Sequence, residues 1–333
     1  MLRLLHSADL HVGDSRHILP EKYLDRQYRM LYEIKRIALK FKCDVVTIAG
    51  DVFDKKEPKQ EEKDLVLSWL LGMDSSGIST IIIPGNHDTI SPGYTTIHYL
   101  KILYDNDRFE NIHIVEGVPR LFIIKKHAFA CIPCRHDINS NVDRLYKKLD
   151  EKPDAYFVVA HGYVHGLVTD SNYKVTKDTI KVQDKDFVTA FLFGDVHKRQ
   201  EFARGKGLMC GAPIQHKWGD KLPKTVSLID VNGGKIVKKK YIKLKGIEPL
   251  VVVDDVDDVP ENAIVKLMSM KGVAHSDLPA NVVEVTDYVN EEDIYETNSG
   301  FKVVDGLAEY LAEKGFDKKE QKLAVNFVEG IKL

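Results

Sequence analysis

Five short polar clusters hold side chains that could do chemistry together. They are Asp9-Leu10-His11, Gly50-Asp51-Val52-Phe53-Asp54, Gly85-Asn86-His87-Asp88, His161-Gly162 and Gly194-Asp195-Val196-His197. The donors are carboxylates, imidazoles and one amide, with no thiol. Such mixed oxygen and nitrogen sets suit Mn, Fe or Zn rather than a thiolate zinc knuckle. The two oxygens of Asp51 could bridge a pair of ions. Two ions about 3.5–4 Å apart activate water and clamp a phosphoryl oxygen, the logic of two-metal phosphate-ester hydrolysis. A single Asp-x-His is ordinary in a loop, but five clusters in order after apolar runs are not. His87 stands between Asn86, a ligand type, and Asp88, which is expected to orient an imidazole.

The elements that must position these groups are legible around them. Apolar runs of strand length occupy residues 2–5, 45–49, 80–83, 156–160 and 191–193, and a polar cluster follows each. Between them, Leu24, Leu31, Ile34, Ala38 and Phe41 mark one face of a helix over residues 21–42, and Leu65, Val66, Trp69 and Leu70 mark a second. Alternating strands and helices predict a layered α/β core. Ligands of α/β sheets gather at the carboxyl ends of strands, so the five clusters are expected to converge.

The chain has 333 residues, 44% hydrophobic and 29% charged, an ordinary globular composition. No apolar run reaches the roughly 18 residues of a membrane-spanning helix, and the first residues read as a strand, not a signal peptide. Four cysteines make no disulfide scaffold, and Cys131 and Cys134 read as structural thiols despite their spacing. The expected setting is therefore cytoplasmic. Charge is segregated along the chain. Residues 1–242 carry 38 basic and 31 acidic side chains, a net +7, while residues 243–333 carry 10 and 19, a net −9. A basic body suits a polyanion such as nucleic acid. Lys198, Arg199 and Lys217, near the last cluster, are candidates for DNA phosphates.

Strand-like residues 226–229 and 236–242 around Asn232-Gly233-Gly234 predict a β-hairpin that closes the first domain, residues 1–244. A small α+β domain is expected over 245–297. Residues 298–333 then hold a short linker and two amphipathic helices. One carries Val304, Leu307 and Leu311, and the other Leu323, Phe327 and Ile331.

In this order the clusters resemble the calcineurin-like metallophosphoesterases. The narrower resemblance is to the SbcD-type DNA double-strand-break-repair nucleases, including the recombination endonuclease subunits of T-even-like phages. It rests on His6-Ser7-Ala8-Asp9-Leu10-His11-Val12-Gly13, on Ala49-Gly50-Asp51-Val52-Phe53-Asp54 and on Cys210-Gly211-Ala212-Pro213-Ile214. The resemblance implies a layered metallophosphoesterase β-sandwich flanked by helices, a DNA-capping domain and a C-terminal helical pair. It implies that Asp9, His11 and His197 hold one metal, that Asp51 bridges, and that Asn86 and His161 hold the other. His87 would meet the scissile phosphate and the leaving group. Most members carry His where Asp195 stands. With Asp195 as ligand to the second metal, a two-cation site would be neutral instead of +1.

The implied activity is 3′→5′ exonuclease action on duplex ends and endonuclease action on single strands, with two divalent ions, Mn2+ or alternatively Mg2+. The implied partners are DNA, a second copy of the chain and an SMC-like coiled-coil ATPase of the SbcC type, in a bacterial or phage-infected cytoplasm. The chain has no GxxxxGK[ST] loop, so that ATPase would be a separate polypeptide docked on residues 298–333. Two other readings compete: a phosphatase or phosphodiesterase of the same fold, and a catalytically weak scaffold that binds DNA ends.

Overall fold

The computed structural model describes residues 1–14, 23–221, 223–268 and 278–285. In chain order the first half contains β1 (Leu2–Ser7), α1 (Tyr23–Lys40), β2 (Val45–Ala49), α2 (Gln60–Asp74), β3 (Ser79–Ile83), a small ribbon of β4 (Thr89–Ser91) and β5 (Tyr94–Thr95), α3 (His98–Asp105), β6 (Ile112–Ile114), β7 (Arg120–Ile124), β8 (His127–Ile132) and α4 (Ile138–Tyr146). Then come β9 (Ala155–His161), β10 (Ala190–Gly194), β11 (Gln200–Phe202), β12 (Gly207–Met209), β13 (Val226–Asn232), β14 (Lys235–Ile242), β15 (Leu250–Val253), β16 (Ile264–Leu267) and β17 (Val282–Val285).

These strands form two six-stranded sheets. The first runs β14-β13-β1-β2-β3-β6 and the second β11-β12-β10-β9-β8-β7. Alternation along the strands explains how they stack. Leu4, Ile81 and Ile83 from the first sheet meet Phe129, Phe157, Val159 and Leu192 from the second in one buried layer. Leu5, Val46, Ile48 and Ile82 point the other way, under Met30, Ile34 and Ile37 of α1 and Val66 and Leu70 of α2. Ala130, Val158, Phe191 and Phe193 point outward from the second sheet beneath Ile138, Val142 and Leu145 of α4. Strands buried on both faces read as near-continuous apolar runs, which is why their sequence signal is strong. The helix-sheet-sheet-helix sandwich is the expected layered α/β class.

The expected hairpin is present. Its first strand, β13, pairs antiparallel with β1, and β14 takes the edge. Lys238 and Lys240 are exposed on that edge, where charge discourages pairing with another chain.

His6 is a polar group inside the inter-sheet layer. Its Nε2 lies 3.2 Å from the Phe193 carbonyl of the second sheet and its Nδ1 2.9 Å from Thr47 Oγ1. A neutral ring satisfies both: Nε2–H donates to the carbonyl and Nδ1 accepts from the hydroxyl. Burial, only partly offset by these bonds, pushes the pKa down to about 4. The folded state therefore resists protonation. The associated stability is complete above about pH 6.5 and is lost as pH falls towards 4, a contribution of about 3 kcal/mol. Melting midpoints should drop across this window, and less steeply in a His6→Gln variant. Parallel slopes for the two proteins would exclude His6 as the cause.

After Leu244, which packs in the core beside the helices, the described residues form a parallel sheet in the order β15-β16-β17. The Gln215 side chain bonds both the N–H and the carbonyl of Leu250, and Trp218 Nε1 donates to Glu284 at 2.7 Å. Arg29 pairs with Glu248 at 2.8 Å. The predicted terminal helices, with Val304, Leu307, Leu311, Leu323, Phe327 and Ile331, lie outside the described residues. Among the described residues, no helix is long and apolar enough to cross a membrane.

Candidate metal centre

The five clusters leave the carboxyl ends of β1, β2, β3, β9 and β10. The first three strands are parallel neighbours in one sheet and the last two in the other. Stacking the sheets brings all five ends to one edge of the sandwich. The turns there are tight: Asp9, His11 and Asp51 have φ of 54°, 45° and 51°, and Asp195 has 115°. Left-handed backbone at non-glycine residues costs energy and gathers at functional sites. Gly50 has φ 90°, and a Cβ there would lie 2.1 Å from His161 Nδ1. Only glycine lets the β2 turn come so close to the imidazole.

The donor atoms face one another. His11 Nε2 lies 3.1 Å from His197 Nε2 and 3.6 Å from Asp51 Oδ2. His161 Nε2 lies 2.9 Å from Asn86 Oδ1, 3.5 Å from Asp51 Oδ1 and 3.9 Å from Asp195 Oδ1. Asp51 thus points one oxygen at each half of the cluster. The Asp195 N–H donates to both Asp9 carboxylate oxygens, at 3.0 and 3.2 Å. Asp9 with His11 and His197, and Asp9 with Asp51 and His161, each form a potential metal-binding group. A third group joins His11, Asp54 and His87.

The donor set fits cations. His161 Nδ1 is 2.7 Å from the Ala49 carbonyl, so it carries the donated proton. Its Nε2 then faces three acceptor oxygens. Only a second proton or a cation makes that arrangement favourable. The electrostatics agree. Burial, with Asp51 and Asp195 adding to it and the imidazoles opposing, pushes the Asp9 carboxyl up to about 7. Burial also works on Asp51, but His161, His11 and His87 outweigh it and hold Asp51 below the usual carboxylate range. Burial is likewise overcome at His161, which Asp51, Asp195 and Asp9 raise well above an ordinary histidine. Burial, His216 and His11 depress His197. Burial raises Asp195. Buried anions crowded with imidazoles are short of positive charge, which is what divalent ions supply.

The donors open onto a cleft of about 380 Å3 that Asn86, His87, Asp195 and His197 line, with Tyr163 and Lys217 beside them. A larger groove of about 690 Å3 runs between α1 and α2, but none of the strand-end residues lines it. In the cleft, the His87 N–H donates to Asp51 Oδ1 and its Nδ1 lies 2.8 Å from the Asp54 carbonyl.

Asp88 requires a correction, because it does not orient His87. Its carboxylate is fully buried and accepts from the N–H groups of Val52, Phe53 and Gly85, at 2.9–3.0 Å, and from Thr96 Oγ1. It clamps the β2 turn to the β3 turn, and the imidazole takes the Asp54 carbonyl instead. The basic candidates divide. Lys217 lines the metal cleft, whereas Lys198 and Arg199 line a neighbouring cavity that shares His197 and Asp170 with it. The Arg199 guanidinium lies on the Tyr241 ring, 3.6 Å from its centroid.

Sequence reasoning missed several residues. His216 is buried against His11, and its ring nitrogens face Asp14 and the Asp9 carbonyl. Lys224 is buried with Asp170 and donates to the His197 carbonyl. Both follow the last cluster, where no strand-end spacing signals a role. The only available signal was their position just beyond Cys210-Gly211-Ala212-Pro213-Ile214.

Comparison with known proteins places residues 2–199 in a match to the calcineurin-like phosphoesterase family. The chain is 22% identical over 234 residues to Uncharacterized protein R555 of Acanthamoeba polyphaga mimivirus, covering 66% of this chain and 16% of that protein. It is 30% identical over 124 residues to the DNA double-strand break repair protein Mre11 of Saccharolobus solfataricus, 35% of this chain and 32% of the relative. With the SbcD component of the SbcCD nuclease of Staphylococcus epidermidis the identity is 20% over 311 residues, covering 86% of this chain and 81% of the relative. The chain therefore spans less than a third of the length of the first two of these relatives.

Proposed function

Since this chain belongs to the calcineurin-like phosphoesterases, a family of hydrolases, we propose that it is a two-metal nuclease that processes DNA ends. The observation that carries the reading is the meeting of five strand ends, from both sheets, in one cleft. The choice of DNA is supported by similarity to a nuclease component over 311 residues, well beyond residues 2–199. The basic balance of residues 1–242 and Lys217 in the cleft agree with a polyanionic substrate.

In this reading Asp9, His11 and His197 would hold one ion, Asp51 would be shared, and Asn86, His161 and Asp195 would hold the other. The ions are Mn2+, with Mg2+ as the alternative. Bound there, they would supply Lewis acidity towards the phosphodiester and lower the pKa of water. The chain's own groups do the positioning. The Ala49 carbonyl fixes the His161 ring so that Nε2 faces the site. The Asp54 carbonyl takes the His87 Nδ1–H and leaves Nε2 for the phosphate or the leaving group. Lys217 steers the strand by charge. Asp195 adds a negative group where an imidazole is usual, so a second ion would be held more tightly but would polarise phosphate less.

The proposed setting is cytoplasmic. Proposed partners are a second copy and a coiled-coil ATPase of the SbcC type, the latter docked through residues 298–333. Residues 245–297 would cap the DNA. The test is release of nucleotides from linear duplex DNA by the purified chain with Mn2+, set against a phosphomonoester substrate. DNA hydrolysis abolished by chelator is the expected result. Hydrolysis of the monoester alone would favour a phosphatase. Metal binding and DNA-end binding without hydrolysis would favour a scaffold.

A further inference from the structure

We propose that His216 is a positioning residue of the metal centre, holding the backbone of Asp9 so that its carboxylate is aimed between the two groups of donors. The inference rests on the metal-binding reading above.

Asp9 sits in the left-handed region with φ 54°. For a residue with a Cβ this conformation is unfavourable and lasts only where neighbours enforce it. Two contacts do so. The Asp9 N–H donates to the Gly50 carbonyl at 3.0 Å, and the Asp9 carbonyl accepts from His216 Nε2 at 3.1 Å. The first contact comes from β2's turn, already part of the site. The second comes from a loop more than 200 residues later in the chain.

His216 is itself fixed on every side. Its Nδ1 lies 3.0 Å from Asp14 Oδ2. Its N–H donates to Asp220 Oδ2 at 2.9 Å. Asp14 in turn donates its N–H to the His11 carbonyl at 3.0 Å. A carbonyl can only accept, so Nε2 must carry a proton whichever of His216 and Asp14 holds the one between them. The ring also lies edge-on to His11, with centroids 4.8 Å apart, and 5.3 Å from His197. One imidazole therefore braces the backbone of one proposed ligand and the rings of two others. Partners of this kind orient ligands without touching the ion.

The test is Mn2+ affinity, read from the electron paramagnetic resonance signal of the free ion, in the full chain without DNA. His216→Leu keeps apolar bulk but has no donor. It should bind Mn2+ about 10–100-fold more weakly. His216→Gln offers an amide N–H near the Nε2 position and should stay within about threefold of the parent, a rescue that loss of packing alone does not predict. Asp14→Ala frees the ring to turn and should weaken binding in the same direction as leucine. Melting of the metal-free proteins, measured in parallel, separates affinity from folding. A folded leucine variant with parental affinity overturns the inference, as does a glutamine variant as weak as leucine. If the leucine variant does not fold, parental affinity in Asp14→Ala overturns it instead. A parent that takes up no Mn2+ overturns the metal reading as well.

Discussion

Replacing His87 with alanine should lower turnover on DNA by about 10²–10⁴ and leave Mn2+ stoichiometry and affinity where they were. The ring is held by its Nδ1 at the Asp54 carbonyl, and the backbone N–H of the same residue donates to Asp51 Oδ1, so the remaining ring nitrogen belongs to the cleft it lines. A positioned imidazole can give the leaving oxygen a proton or a hydrogen bond as charge develops. The competing role is specific. His87 also belongs to a potential metal-binding group with His11 and Asp54. If it is a ligand, alanine lowers Mn2+ stoichiometry along with the rate. Counting bound Mn2+ in the variant therefore decides between the roles, and full activity with both ions bound excludes each of them.

The second large effect is on stability. Asp88→Ala should destabilise the protein by about 3–5 kcal/mol, because buried donors left without an acceptor cost about 1–3 kcal/mol each. Three backbone N–H groups and the Thr96 hydroxyl lose their acceptor at once. The turns after β2 and β3 would lose the group that ties them, and with it the spacing of Asp51 and Asn86. Chemical denaturation of the metal-free variant gives the number. A loss under about 1 kcal/mol would mean that water replaces the carboxylate and that the clamp is dispensable.

The contrast between these neighbours shows what a linear pattern holds. The donor types and their order were legible because each follows a strand buried on both faces, and such strands announce themselves as near-continuous apolar runs, rich in Val and Ile in β2 and β3. Convergence followed from topology, since parallel neighbours end on the same edge. The partner of each ring was not legible. Asp88 is adjacent to His87 in sequence, but consecutive residues in a tight turn point apart, so its carboxylate serves backbone groups of another turn. His216 and Lys224 were invisible for the opposite reason. They come from an irregular loop with no period, and only the tertiary fold sets them beneath Asp9 and His197.

The order of the first sheet also matters while the chain is being made. β1 emerges first, and its parallel partner β2 follows within 50 residues. Its other edge is covered only by β13, which begins at Val226, beyond the stretch matched to the family. Until the ribosome has delivered that strand, β1 offers a row of unpaired amides flanked by Leu2, Leu4 and Leu5. Such an edge can capture a strand from a neighbouring nascent chain. A fragment cut at residue 199 would keep this hazard permanently, despite containing every proposed metal ligand. Arrival of the hairpin removes it and substitutes an outer strand studded with lysines. The last turn of the sandwich to be synthesised is thus its guard against aggregation.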